Sequence, residues 1–73
     1  ISIHPNPVES TLYLTNTGSL VITKVELFTI LGKKLREYES NVQEIQLHNV
    51  PRGLYIIKVQ SDQGSILKKI MKR

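Results

Sequence analysis

Four isolated glycines punctuate this chain. Each closes a four-residue unit with turn chemistry: T-N-T-G (15–18), T-I-L-G (29–32), V-P-R-G (50–53) and S-D-Q-G (61–64). A type I turn accepts Asp, Ser or Asn at its first position and Gly at its fourth. A glycine there takes positive φ and forms the bulge from which the next strand starts. Thr15, Thr29 and Ser61 can each bond the backbone two residues on, and in the remaining unit Pro51 presets φ instead. Turns repeated roughly every 8–15 residues are the mark of an antiparallel sandwich or barrel.

The segments between the turns read as strands. "TLYLT" (11–15) alternates, with Leu12 and Leu14 on one face, the period of a half-buried strand. In "ITKVELFTI" (22–30) Val25 and Leu27 share a face with Thr23 and Thr29, but the inward face is ambiguous past Leu27. "KKLREYE" (33–39) is polar and suits an edge, and "EIQLH" (44–48) alternates again through Ile45 and Leu47. "LYIIKV" (54–59) is apolar on both faces over its first half, as a central strand is. "SILKKIM" (65–71) closes the chain. Leu35, Tyr38 and Val42 fall in register on a helical wheel, but Ser40-Asn41 between them favours a turn, so no helix is expected. The expected core is Leu12, Leu14, Val25, Leu27, Ile45, Leu47, Tyr55, Ile57 and Val59.

With 73 residues, 40% hydrophobic and 22% charged, the chain is expected to fold as one small domain, 1–73. A core of this size supplies about 3–5 kcal/mol of net stability. With no cysteine, neither a disulfide nor a thiolate metal site adds to it. No segment approaches the about 20 apolar residues of a membrane span. The opening "ISIHPNP" lacks the basic start and apolar run of a signal peptide. The absence of an initiating methionine suggests a fragment cut from something longer.

Charge is unevenly distributed. Residues 1–57 balance, while 58–73 hold Lys58, Lys68, Lys69, Lys72 and Arg73 against Asp62 alone, which is the whole net charge of +4. Such a focus attracts nucleic acid, anionic lipid or an acidic partner. It also protects an edge strand from sheet-to-sheet aggregation. Nucleic acid is disfavoured, because a single-strand binder needs aromatics in the basic groove, whereas Tyr55 and Phe28 sit in apolar stretches.

Catalytic and metal signatures are weak. His4 and His48 are the only histidines and neither has a second histidine at ligand spacing. Ser10, His48 and Glu44 make a triad only on paper, without a nucleophile elbow. No glycine loop opens a helix to cradle phosphate. No cofactor is expected. In "HPNPVES" (4–10), Pro5 and Pro7 fix φ and push His4 and Asn6 toward extended geometry. The result is a stiff corner where the chain switches sheets or joins an upstream domain.

In order, the "PNP" of Pro5-Asn6-Pro7, "LFTILGKKL" (27–35), "LHNVPRGLYIIKV" (47–59) and "ILKKIMKR" (66–73) resemble the C-terminal sorting domain of the type IX, or Por, secretion system. The resemblance covers essentially the whole chain. Its most specific parts are Gly53, Tyr55 and Ile57 behind a Leu-x-x-Val-x-x-Gly stretch, and then Lys-Lys-Ile at 68–70. Thr29 departs from the Asp or Asn usual at the start of the turn before Gly32. A threonine hydroxyl still makes the local bond, more weakly.

The resemblance implies an all-β, immunoglobulin-like antiparallel sandwich of about seven short strands. It implies a non-catalytic signal that sends an upstream cargo from the periplasm across the outer membrane, to be secreted or held at the cell surface. An outer-membrane shuttle would recognise the domain and a sortase-like protease would remove it. Any signal peptide would then lie upstream of the cargo. On this reading Lys68, Lys69, Ile70 and Lys72 carry recognition, while Pro5, Asn6, Pro7, Gly32, Gly53 and Tyr55 are architectural. The rivals are a carbohydrate-binding module, for which Tyr13 and Tyr38 are the only aromatic candidates and no Trp is present, and a structural spacer.

Overall fold

Two antiparallel sheets face one another across a shared apolar layer. The structure, a computed structural model, describes residues 1–15, 18, 20–39 and 42–73. Among these residues there are seven strands and no helix. In chain order the strands are β1 (Ser2–His4), β2 (Thr11–Thr15), β3 (Ile22–Thr29), β4 (Lys34–Tyr38), β5 (Glu44–Gln46), β6 (Gly53–Ser61) and β7 (Gly64–Lys72). One sheet has the order β1-β2-β5 and the other β4-β3-β6-β7. An immunoglobulin constant domain places its fourth strand beside the first, second and fifth. Here β4 pairs with β3 instead, which gives a three-on-four sandwich of the same general kind.

The core follows the alternation. All nine residues expected there are buried. Val25 pairs with Val59 and Leu27 with Ile57, and Leu12 with Ile45 on the facing sheet. The pairing Thr29↔Tyr55 carries the inward face of β3 on to its end and leaves Phe28 beside Ile56 on the outer face, which resolves what the sequence left open past Leu27. The outer face of β3 also holds Glu26, buried beneath Lys34 Nζ at 3.3 Å and Gln60 Nε2 at 3.0 Å. "LYIIKV" does form a central strand, since β6 lies between β3 and β7.

The turns follow the sequence with one displacement. At T-I-L-G, Gly32 N donates to the Thr29 carbonyl at 2.9 Å and Thr29 N to the Lys33 carbonyl at 2.8 Å. Gly32 has φ +95°. The Thr29 hydroxyl accepts from Lys33 N at 3.1 Å, four residues on rather than two. At S-D-Q-G the Ser61 hydroxyl accepts from Gln63 N at 3.2 Å, the predicted bond. In V-P-R-G the hydrogen-bonded turn sits three residues earlier, where Val50 N donates to the Leu47 carbonyl at 2.9 Å. The Pro51 carbonyl instead accepts the Tyr55 hydroxyl at 2.6 Å, and Gly53 opens β6 with φ +150°. Asn16 and Thr17 of the first turn, and the expected turn at Ser40-Asn41, lie outside the described residues.

The stiff corner does switch sheets. Both His4-Pro5 and Asn6-Pro7 peptide bonds are cis. Beyond them Val8, fully buried, makes a parallel bridge to Lys72 of the opposite sheet before the chain returns as β2.

A Cβ on Gly53 would stand 3.9 Å from the nearest atom, Tyr55 Cε2, so backbone strain rather than crowding opposes a side chain there. Gly53→Val is expected to lower unfolding free energy by roughly 1–3 kcal/mol. Denaturant titration checks this, with the midpoint moving and the slope unchanged.

Candidate functional site

The basic C-terminal segment is built as the outermost strand of the larger sheet. β7 pairs with β6 over an unbroken register from Ser61↔Gly64 to Gly53↔Lys72. Its hairpin is held from two sides. Ser61 Oγ donates to the Gly64 carbonyl at 2.9 Å. Asp62 ties the hairpin to the entry of β3, accepting from Val21 N through Oδ1 at 3.0 Å and donating its own N–H to the Val21 carbonyl at 3.0 Å.

Alternation divides the four expected recognition residues. Ile66, Lys68, Ile70 and Lys72 share the face of Tyr55, Ile57 and Val59, while Leu67, Lys69 and Met71 share the other. Lys68 and Lys69 are exposed. Ile70 is fully buried in the core beside its partner Tyr55. Lys72 is only 6% exposed and its ammonium donates to the Arg73 carbonyl at 2.6 Å. The sequence reading assigned all four to recognition. The sandwich offers a partner only the first two, because the far end of β7 runs under the facing sheet's connection at Val8.

The architectural residues also separate. Gly32 shapes the β3–β4 hairpin at the opposite edge of the sheet. Gly53 and Tyr55 begin the strand that holds β7. Asn6 touches β7 directly: its Nδ2 donates to the Lys69 carbonyl at 3.2 Å and its Oδ1 accepts from Met71 N at 3.0 Å. Val8 N donates to the Met71 carbonyl at 2.8 Å, and Arg73 N to the Val8 carbonyl at 2.9 Å. Asn6 and Val8 thus stand where a further strand would pair. Sequence reasoning placed Asn6 in a rigid corner and left Val8 out of the core. The available signal was a lone asparagine between prolines followed by an apolar residue, which names no partner.

The other edge is β4. It is interrupted by a register shift opposite Leu27/Phe28, and its Lys34 and Glu37 form an ionic cluster with Glu26 of β3. Lys34 Nζ donates to Glu37 Oε1 at 2.6 Å. That bond, with the contact to Glu26, raises the Lys34 pKa, and the same bond to Lys34 lowers that of Glu37. Arg36 reaches across to the facing sheet, donating to the Gln46 carbonyl at 2.8 Å and to Asn49 Oδ1.

His4 stacks on Tyr13 with ring centroids 5.8 Å apart, and its Nε2 lies 3.2 Å from Thr15 Oγ1. His48 is exposed on its turn. Among the described residues no group of three His, Asp or Glu side chains could hold a metal, and no helix is long and apolar enough to cross a membrane. Tyr13 is exposed on the three-stranded sheet. Tyr38 lies on the four-stranded sheet, packed against the core with its hydroxyl buried. The two aromatic candidates for a sugar platform therefore share no face.

The model of the Por secretion tail family, the secretion system C-terminal sorting domain, matches residues 2–73. Comparison with curated proteins gave no significant match.

Two outcomes follow from this geometry. Asn6→Ala removes the acceptor of Met71 N, so hydrogen exchange at the Met71 amide should accelerate by roughly tenfold while the Ile70 amide, bonded to β6, stays protected. Glu37 has a lowered folded-state pKa. Its contribution to stability is therefore full above the unfolded carboxylate value and disappears as pH falls through the folded value. Thermal melts of Glu37→Gln against the unaltered chain should converge on acidification and separate, modestly, at neutral pH.

Proposed function

The chain belongs to the family of secretion-system C-terminal sorting domains, and from that premise we propose how it does its work. A sorting tail of the type IX system marks a protein for export, and the family is a signal rather than a catalyst. In the proposed mechanism the folded chain travels behind an upstream cargo through the periplasm. An outer-membrane shuttle engages β7, and the cargo then crosses the outer membrane. A sortase-like protease removes the chain, and the cargo is released or kept at the cell surface. No nucleic acid takes part.

The observation that carries this reading is the family match running from residue 2 to residue 73, final strand included. The distribution of charge supports it, since three of the surplus cations, Lys68, Lys69 and Lys72, fall on the same strand and Lys68 and Lys69 stand in solvent. Ile70 and Lys72 serve by holding that strand in place.

The test is a periplasmic reporter fused to the chain in a host that has the machinery. The intact fusion should reach the surface, and a fusion lacking 68–73 should stay in the periplasm. That truncation also removes Ile70 from the core. A second fusion, Lys68→Glu with Lys69→Glu, keeps the core and should lose export by roughly tenfold or more, about 1.4 kcal/mol of recognition. Normal export of both altered fusions would contradict the proposal.

A further inference from the structure

The four sheet edges of this sandwich are unequally guarded. β1 and β5 are three residues long, too short to template much pairing. β4 is broken by a register shift and lined by Lys34, Arg36 and Glu37. Short edges, bulges and edge charges are the usual protections against a further strand. β7 is different. It is nine residues long, has no irregularity against β6, and exposes apolar side chains on both faces, Ile66 at 44% and Leu67 at 68%.

Only one half of that edge is covered. The outward groups at Met71, Arg73 and Lys69 bond to Val8 and Asn6. Odd-numbered residues of β7 therefore turn their backbone groups away from β6. Leu67 and Ser65 share that parity in an unbroken register, and no described residue pairs with them on that side. Beneath the same half lies an apolar cleft of about 170 Å³, walled by Ile1, Leu20, Ile22, Val59 and Ile66. The three-stranded sheet leaves this end of the interior open.

We propose that residues 64–69 form a strand-addition site for an extended, carboxylate-bearing segment of a partner protein, one of whose apolar side chains fills the cleft beside Ile66. A strand laid along β7 would take up the outward groups of Ser65 and Leu67 about 4.8 Å away. Every second side chain would face the cleft and Lys68, and the others would lie beside Leu67 and Lys69. Asn6 and Val8 stop the added strand at Lys69. Charge selects the occupant. A second copy would bring its own Lys68, Lys69 and Lys72 on the same strand against these lysines, whereas acidic side chains match them. The proposal deepens the reading of β7 as the recognised element and rests on it.

The experiment uses the 73-residue chain, isotope-labelled for amide hydrogen exchange. The probe is a capped decapeptide alternating glutamate and valine, with a lysine–valine decapeptide as charge control. The Leu67 and Ser65 amides should exchange fast in the free chain and slow by roughly tenfold with the acidic peptide only. Leu67→Pro removes an outward donor without touching the ladder to β6, and should abolish that slowing. Lys68→Glu with Lys69→Glu should transfer the slowing to the basic peptide, which tests the site even if Leu67→Pro fails to fold. No slowing with either peptide would overturn the proposal. So would equal slowing with both, or protection that rises with protein concentration alone, which identifies a second copy as the occupant. The reporter fusion separates the two readings. Normal export with Leu67→Pro, beside export of the unaltered fusion, overturns strand addition and leaves the sorting role intact. Failure of the unaltered fusion to export overturns the sorting role and with it the partner named here.

Discussion

The ladder between β6 and β7 is the interaction on which the rest of this molecule depends. β6 is the central strand of the larger sheet, and three of its residues, Tyr55, Ile57 and Val59, supply core side chains from that strand. Its backbone is satisfied on one side by β3 and on the other only by β7. Buried backbone groups without partners carry a penalty comparable to a lost hydrogen bond each. The last nine-residue strand is therefore not an appendage. Without it the sheet ends at an unpaired central strand and the core loses Ile70.

A second constraint acts from the opposite sheet. The proline-flanked corner delivers Asn6 and Val8 to the far end of β7, where an asparagine side chain and one valine backbone stand in for a neighbouring strand. The first residues of the chain thus hold the last. The same clasp divides the edge of β7 into a covered half and an open one, and the open half holds the exposed Lys68 and Lys69.

Much of the fold was legible because short strands advertise themselves by period and by turn residues. Leu12, Leu14, Ile45 and Leu47 alternate, and Gly32 and Ser61 make turn bonds of the expected kind. What was not legible depends on contacts distant in sequence. β1 is three residues long, and the alternation of Ile1-Ser2-Ile3-His4 is too short to mark a strand. Val8 is buried only because the corner carries it to Lys72, and nothing in "PVES" names that partner. Lys72 reads as a surface cation, yet its alternation with Ile70 places it at the inner face. Of the four residues the sequence assigned to recognition, Lys68 and Lys69 are exposed while Ile70 and Lys72 are buried. The family's identity was legible in motifs, and the geometry adds which of their side chains a partner can reach.

A crosslinking experiment reaches the central claim, that the open edge of β7 is the surface met during export. A photoreactive residue placed at Leu67, in a reporter fusion passing through the secretion machinery, should capture a component of that machinery. The same residue at Leu35, on the guarded edge of the same sheet, should not. Capture from Leu35 with none from Leu67 would contradict the account.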